Sequence, residues 1–362
     1  MKDNLKKIAF CITCMNRLHH LQQTLEKNIQ DNLLPDEVEF VLLDYNSTDG
    51  LDEWILKNMQ QYIDSGILIY FKTFESEHYQ RSHSRNMAFR LANADILCNL
   101  DADNFLGKGF AAFIIHEFSI HDNIFYTNNY SLNDTYGRVC VSNQDFFTVR
   151  GYNEALKGYG YEDNDFQNRL ISQGLKPVSF HNPEFYRFVL HDDTDRISEE
   201  YLAKNTNMMY ITYINPYTSG IMLLYNNFTM ERYTLADNSQ VNFFTEFSKS
   251  EELFFDEGRR VVIKGNIIKG TWNDNDNTVN IQENGVEYKI EKGLSMIDFS
   301  DLIFYKVEDN ELMVKIFVLL NSAINYQEAC KQIKEKSIIN PEGFGMGIVY
   351  KNFDLSKEII LP

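Results

Sequence analysis

Along the first half of the chain, short apolar runs alternate with amphipathic stretches. "KIAFCIT" predicts a strand; in "RLHHLQQTLEKNIQDN", Leu18, Leu21, Leu25 and Ile29 recur at helical spacing. "VEFVLLD" predicts a second buried strand, and "LDEWILKNMQQYI" a helix behind the turn "NSTDG". "ILIYFKT", "SHSRNMAFRLANA" and "DILCNLD" continue the alternation as strand, helix and strand. Strands that are apolar throughout belong in a mostly parallel sheet covered on both faces, an α/β fold. Ligands of such sheets bind beyond the carboxyl ends of the strands. Thr13 and Asn16, then Asp44, Asn46 and Ser47, then Asp101 and Asp103 follow successive strands, so the polar groups collect at one sheet edge.

Past residue 212 the pattern changes to alternating residues broken by "NDND" and "ENG", the pattern of hairpins. One helix is expected near "SAINYQEACKQIKEK". The expected division is an α/β domain over 1–212 and a smaller β-rich domain over 213–362, of unassigned role. The full length of 362 residues allows about two or three domains.

Composition narrows the partners. Hydrophobic residues make up 44% and charged residues 24%, as in folded proteins, and 27 Phe and 21 Tyr offer flat faces for core and ligand alike. A formal charge of −18 disfavours nucleic acid and anionic lipid. A protein so acidic needs a divalent cation or well-placed arginines to hold a phosphorylated substrate. The start "MKDNLKKIAFCITCMN" lacks the long apolar run and cleavage site of a secretion signal, and no stretch reaches the ~20 apolar residues of a membrane span. The expected location is the cytoplasm, or the inner face of the membrane through peripheral contact. Five cysteines, an odd number, suggest free thiols. Cys11 and Cys14 read as strand packing more readily than as a redox pair.

Several residues suggest chemistry. Asp101 and Asp103, two apart at a strand end, can point the same way and share a hard cation, or simply end a strand. Arg85 and Asn86 at a helix head can meet a phosphate or a base, while Arg81, Arg85 and Arg90 can equally form a solvated face. Asp44 can accept from a nucleobase N–H or a ribose hydroxyl. His191, at the end of "FVLH", is a candidate metal ligand, favoured over His181 beside a turn. In "GYGYEDNDFQNRL", Glu162, Asp163 and Asp165 open an apparent helix, where acids serve as caps as readily as in chemistry.

These residues resemble family 2 and related inverting glycosyltransferases of the GT-A fold, a Rossmann-like, mostly parallel sheet with helices on both faces, over roughly residues 7–195. The likeness rests on Asn16-Arg17, on "LLDYNSTDG" in place of D-D-x-S-x-D-G, on Arg85-Asn86 and on the D-x-D of Asp101 and Asp103. "GYGYEDNDFQNRL" is similar to the G-W-G-G-E-D-D-D…N-R stretch of β-1,4-galactosyltransferases and its counterpart in chondroitin-type polymerases. The resemblance implies that Thr13, Asn16, Arg17, Asp44, Asn46, Arg85, Asp101 and Ala102 bind a UDP-sugar. It implies that Asp103 and His191 hold Mn2+ or Mg2+. Asp163 would be the general base, ionised near neutral pH, with Glu162, Tyr159 and Asn164 on a glycan or glycolipid acceptor. Tyr161 replaces a glycine, Asn164 an acid and Tyr45 an aspartate of the family pattern, leaving galactose, glucose and their N-acetylamino forms open as the donor sugar. The expected activity is hexose or N-acetylhexosamine transfer in surface polysaccharide synthesis, with oligomerisation through the C-terminal domain. A sugar-1-phosphate nucleotidyltransferase would need a glycine-rich loop that "CITCMNRLHH" lacks, and a non-catalytic sugar-binding protein would not need the metal ligands.

Overall fold

Strands β1 (Ile8–Cys14) and β2 (Val38–Tyr45) are buried at every position, which places them inside a sheet with both faces covered. The computed structural model describes residues 6–128, 135–237, 261–275, 277–292, 294–299 and 301–362. They divide into a first unit, Met1–Lys157, Glu162–His191 and Lys336–Pro362, and a second, Gly158–Tyr161 and Asp192–Glu335.

In the first unit, β3 (Leu68–Thr73), β2, β1 and β4 (Ile96–Asn99) run parallel in that order. β6 (Cys140–Ser142) pairs antiparallel with β4, followed by β5 (Ile124–Thr127) and β7 (Lys176–Ser179). Side chains alternate between faces. Ile8, Phe10, Ile12, Phe40 and Leu42 pack on one side with helices α1 (Leu18–Asp31), α2 (Leu51–Asn58) and α5 (Phe110–Ile120). Ala9, Cys11, Val41, Leu43 and Tyr45 pack on the other with α4 (Arg81–Leu91), α6 (Asn143–Thr148) and α7 (Glu162–Ser172). The helix expected from "LDEWILKNMQQYI" is two, α2 and the short α3 (Gln60–Asp64), meeting at Met59.

The second unit has an antiparallel sheet whose strands include Thr206–Asn215, Thr218–Tyr225 and Thr229–Asp237. Its hairpins follow the turn residues: Asn284 (φ 51) and Gly285 (φ 81) join Thr278–Glu283 to Val286–Glu291, both in the left-handed region that a two-residue hairpin turn requires. The expected helix is longer than "SAINYQEACKQIKEK", spanning Asn310–Glu335, because Ile316, Phe317 and Leu320 extend its apolar face onto the unit's core.

The expected boundary at residue 212 needs correction. Thr206–Asn215 pairs along Thr218–Tyr225 and belongs to the second unit, so the chain leaves the first unit after His191. From Lys336 it returns, because Gly347–Lys351 pairs antiparallel with β3 and is continued by Glu358–Leu361. β3 is therefore an interior strand, and the C-terminal residues complete the first sheet.

Phe10 and Phe40 are directly paired across β1 and β2, with ring centroids 5.0 Å apart. Phe40→Ala is expected to destabilise the protein by about 3–5 kcal/mol, read from the denaturant midpoint. A change within error would show that this face of the sheet is not packed as described.

Candidate functional site

The site is built from loops at the carboxyl ends of the parallel strands. Asn16 (φ 55) and Asn46 (φ 65) turn the chain just beyond β1 and β2, in a region that asparagine tolerates better than most residues. The Asn16 N–H donates to Ser47 Oγ at 3.1 Å, and Asn16 Oδ1 accepts from the Thr48 N–H at 2.7 Å, tying the two loops together. Asn46 Nδ2 donates to the Ser76 carbonyl at 2.8 Å. Thr13 Oγ1 lies 2.5 Å from Tyr79 Oη.

Asp44 does not present itself to a ligand as expected. It is completely buried; Oδ1 accepts from the Ser47 N–H at 2.7 Å and Oδ2 from the Tyr70 hydroxyl at 2.7 Å, with Lys72 Nζ 3.4 Å away. Burial raises its pKa, against the pull of these partners. Its place is in the fold of the β2 loop.

Asp101 and Asp103 lie in a turn beyond β4, closed by the Asn104 N–H on the Asp101 carbonyl at 3.0 Å, rather than on the strand itself. Helix α1 fastens this turn. Thr24 Oγ1 donates to the Ala102 carbonyl (2.6 Å), Asn28 Nδ2 to the Asn104 carbonyl (2.8 Å) and Asn32 Nδ2 to the Gly107 carbonyl (3.1 Å). Asn28 Oδ1 also accepts from the Leu106 N–H at 2.8 Å. Arg138, buried, donates to Asn104 Oδ1 at 2.9 Å and to the carbonyls of Phe105 and Phe185.

The same turn captures the segment leading to His191. The Phe105 N–H donates to the Arg187 carbonyl (2.9 Å) and the Val189 N–H to the Asp103 carbonyl (2.8 Å). This is an isolated bridge rather than the expected strand, and it brings His191 Nε2 within 2.6 Å of Asp103 Oδ2. Both side chains are buried, and His191 holds the Asp103 carboxyl below its ordinary pKa despite burial. Arg17 and His20 add positive potential at Asp103, and the His20 ring lies 5.2 Å from His191.

The acids of "GYGYEDNDF" open α7. Arg85 reaches them from α4: Nη1 donates to Asp163 Oδ1 at 2.9 Å and lies 3.5 Å from Glu162 Oε1, and Nη2 donates to Asp101 Oδ1 at 3.2 Å. Asp101 and Asp103 thus have separate partners, Arg85 and His191, instead of sharing one. Arg85 is itself buried, only 3% exposed, and faces carboxylates where a solvated face or a nucleobase contact was expected. Its guanidinium lies 5.3 Å from the Tyr152 ring centroid. Asp163 is not held in the ionised form by the helix end as expected. Burial pushes its pKa up to about 7; Arg85 and Arg81 pull it down, while Glu162 and Asp101 push it up.

Asn164 Nδ2 donates to the Tyr136 hydroxyl at 2.9 Å, and Asp165 pairs with Arg169 one turn on at 2.8 Å. Tyr159 belongs to the second unit, where Arg196 covers its ring at 5.4 Å. In that unit Asn325 Nδ2 donates to the Gly160 carbonyl at 2.7 Å and Tyr161 packs edge-on against Tyr326. Tyr161 adopts φ 75 at the position where the resembling family has glycine.

Several contributors were not expected from sequence. Thr24, Asn28 and Asn32 sit four apart beside the Leu21/Leu25/Ile29 stripe, a regularity that could have marked them. Gly137 and Arg138 carry no such signal. A Cβ on Gly137 would lie 2.9 Å from Asp101 Oδ2 and 3.3 Å from Asp163 Oδ2, so the bare backbone there closes the acid cluster.

Residues 119–192, which include α7, Arg138 and His191, match the family model described as the N-terminal domain of galactosyltransferase. The chain is also similar in structure to a mannosyltransferase from Pyrobaculum calidifontis solved with GDP-Man and Mn2+, at 14% identity and TM-score 0.43 over 50% of this chain and 56% of that one. Similarity to TarS 1-349 of S. aureus has TM-score 0.41 and 14% identity, over 49% of this chain and 59% of that one. The catalytic domain of Drosophila beta1,4galactosyltransferase 7, in complex with xylobiose, gives TM-score 0.36 and 13% identity over 54% and 74%. The chain thus spans a little over half the length of the first two structures. A search of curated proteins finds no match. Among the described residues, no helix is long and apolar enough to cross a membrane.

Asn28→Ala strands the Leu106 N–H and the Asn104 carbonyl in a buried setting. A loss of about 1–3 kcal/mol is expected in chemical denaturation. Unchanged stability would remove α1 from its assigned fastening role.

Proposed function

We propose that the protein is a glycosyltransferase that moves a hexose or N-acetylhexosamine from a UDP-sugar to a hydroxyl of a glycan or glycolipid acceptor, with inversion, in surface polysaccharide synthesis. The observation that carries this reading is Asp163 at the head of α7, with a pKa near 7, hydrogen-bonded to Arg85 and flanked by Glu162. A carboxylate tuned close to the working pH suits general-base catalysis, since it is available ionised and still binds a proton well. Asp163 takes the proton of the attacking hydroxyl. Glu162 Oε2 is buried without a hydrogen-bond partner among the described residues, which leaves it able to accept from an acceptor hydroxyl. One base and no protein nucleophile imply a single displacement, hence inversion. Asn164, close by on α7, joins the proposed acceptor-binding set, and Tyr159 is proposed for it from the resemblance alone.

The UDP-sugar donor would meet Thr13, Asn16, Arg17, Asn46, Asp101 and Ala102 at the sheet edge, as the resemblance implies. Asp103 and His191 are of the residue types that hold a divalent cation. In the structure Asp103 Oδ2 and His191 Nε2 hydrogen-bond at 2.6 Å, both side chains buried, and a cation bound there would displace the proton between them. Mn2+ or Mg2+ held there would supply positive charge against the diphosphate leaving group, which a protein of charge −18 needs. Cytoplasmic residence, peripheral membrane contact and pairing through the second unit accompany this reading as proposals.

Asp163→Asn is expected to lower transfer about 10²–10⁴-fold while nucleotide affinity by calorimetry stays nearly unchanged; turnover at the wild-type rate would remove Asp163 from its role. In the wild-type pH–rate profile the rate should fall as pH drops through about 7, where Asp163 gains its proton. Asp103→Ala should lose cation-dependent nucleotide binding. Identical wild-type titrations with and without EDTA would count against the cation.

A further inference from the structure

The base is held by more than its immediate neighbours. Glu154 lies outside the acid cluster yet joins three segments of the first unit. Its Oε1 accepts from Asn86 Nδ2 at 2.8 Å and from the Gly345 N–H at 2.6 Å. Asn86 directly follows Arg85 on α4. Its Oδ1 accepts from the Tyr152 N–H at 2.7 Å, and Nδ2 also donates to the Tyr152 carbonyl at 2.8 Å. The Tyr152 ring carries the Arg85 guanidinium at 5.3 Å and stacks on Phe166 of α7 at 4.2 Å, one turn beyond Asp163.

The C-terminal return segment closes this arrangement from outside. Gly345 presses on α4 so closely that a Cβ would stand 2.7 Å from the Asn86 carbonyl carbon and the Met87 nitrogen, and its φ of 57 also favours glycine. Arg90 Nη1 donates to the Phe344 carbonyl at 2.6 Å, fastening the other end of the contact. Neither Glu154 nor Gly345 belongs to the proposed donor or acceptor sets.

We propose that Glu154 is a positioning residue: by joining Asn86 to the returning C-terminal segment at Gly345, it holds Arg85 in hydrogen-bonding register with Asp163. This deepens the proposed function and rests on Asp163 being the base. Arg85 is the nearest cation to Asp163, so its displacement removes the main charge favouring the ionised form; Arg81 remains, and Glu162 and Asp101 oppose ionisation. The sign follows: a loosened Arg85 moves the Asp163 titration to higher pH.

The test uses the full chain as Glu154→Ala and Glu154→Gln, followed by carboxyl-carbon NMR titration, with the Asp163 signal assigned by its loss in Asp163→Asn. Glu154→Ala should raise the Asp163 midpoint by on the order of one pH unit, lower kcat and leave the donor KM within about twofold of wild type. Glu154→Gln retains an acceptor oxygen and should titrate close to wild type. A midpoint that stays put in Glu154→Ala overturns the proposal, whatever happens to thermal stability, because a merely structural glutamate would change the melting temperature alone. If Glu154→Ala does not fold, Gly345→Ala decides, with the same upward shift expected and an unmoved midpoint again fatal. Should Asp163→Asn prove active, the base assignment fails, but the NMR midpoint still judges the positioning role.

Discussion

A guanidinium with almost no access to water has to be surrounded by negative charge, and carboxylates drawn into the same interior have to be near a cation. Arg85 meets this condition with Asp163, Glu162 and Asp101 together. Loss of either sign would leave the other uncompensated in a poorly solvated place, where an unpaired charge costs several kcal/mol. The set is unequal, three acids to one arginine, and burial opposes the ionisation of Asp163. The surplus of negative charge and the lost hydration move Asp163 toward neutral pH, while its bond to Arg85 limits how far. The base strength proposed for catalysis is therefore a property of the cluster rather than of one residue.

That cluster works only if its members are held still, and the holding is done largely by buried polar groups that hydrogen-bond within the fold. The stripe of Thr24, Asn28 and Asn32 fastens the turn carrying Asp101 and Asp103. Asp44 knits the β2 loop through Ser47 and Tyr70, and Arg138 ties the Asp103 turn to the segment that ends at His191. In each case hydrogen bonds replace water around groups that the fold has enclosed, so their geometry is specified more narrowly than apolar contact alone would specify it. The apolar faces of β1 and β2 supply the bulk of the packing against which these loops are set.

The C-terminal residues also change what counts as the first unit. Gly347–Lys351 shields β3 from being an edge, and Phe344 and Gly345 rest on α4, which carries Arg85. The second unit is inserted before this return, with its own sheet, its long helix Asn310–Glu335 and its own core. An insertion of this kind keeps the first sheet dependent on residues at both ends of the chain.

The mostly parallel sheet of β1 to β4, the helices on both faces and the gathering of polar residues at one edge could be read from sequence, because apolar periodicity records burial directly. So could the Asn284–Gly285 hairpin, whose turn residues carry their own backbone preference. The enclosure of Asp44, the parting of Asp101 from Asp103 and the contributions of Gly137, Arg138 and Glu154 could not. Each depends on which distant segment lies against the residue, as Gly345 lies against Asn86 and His191 against Asp103. Local pattern states which side chains must leave water; only the folded chain decides which partners they find there, and with them the pKa of Asp163.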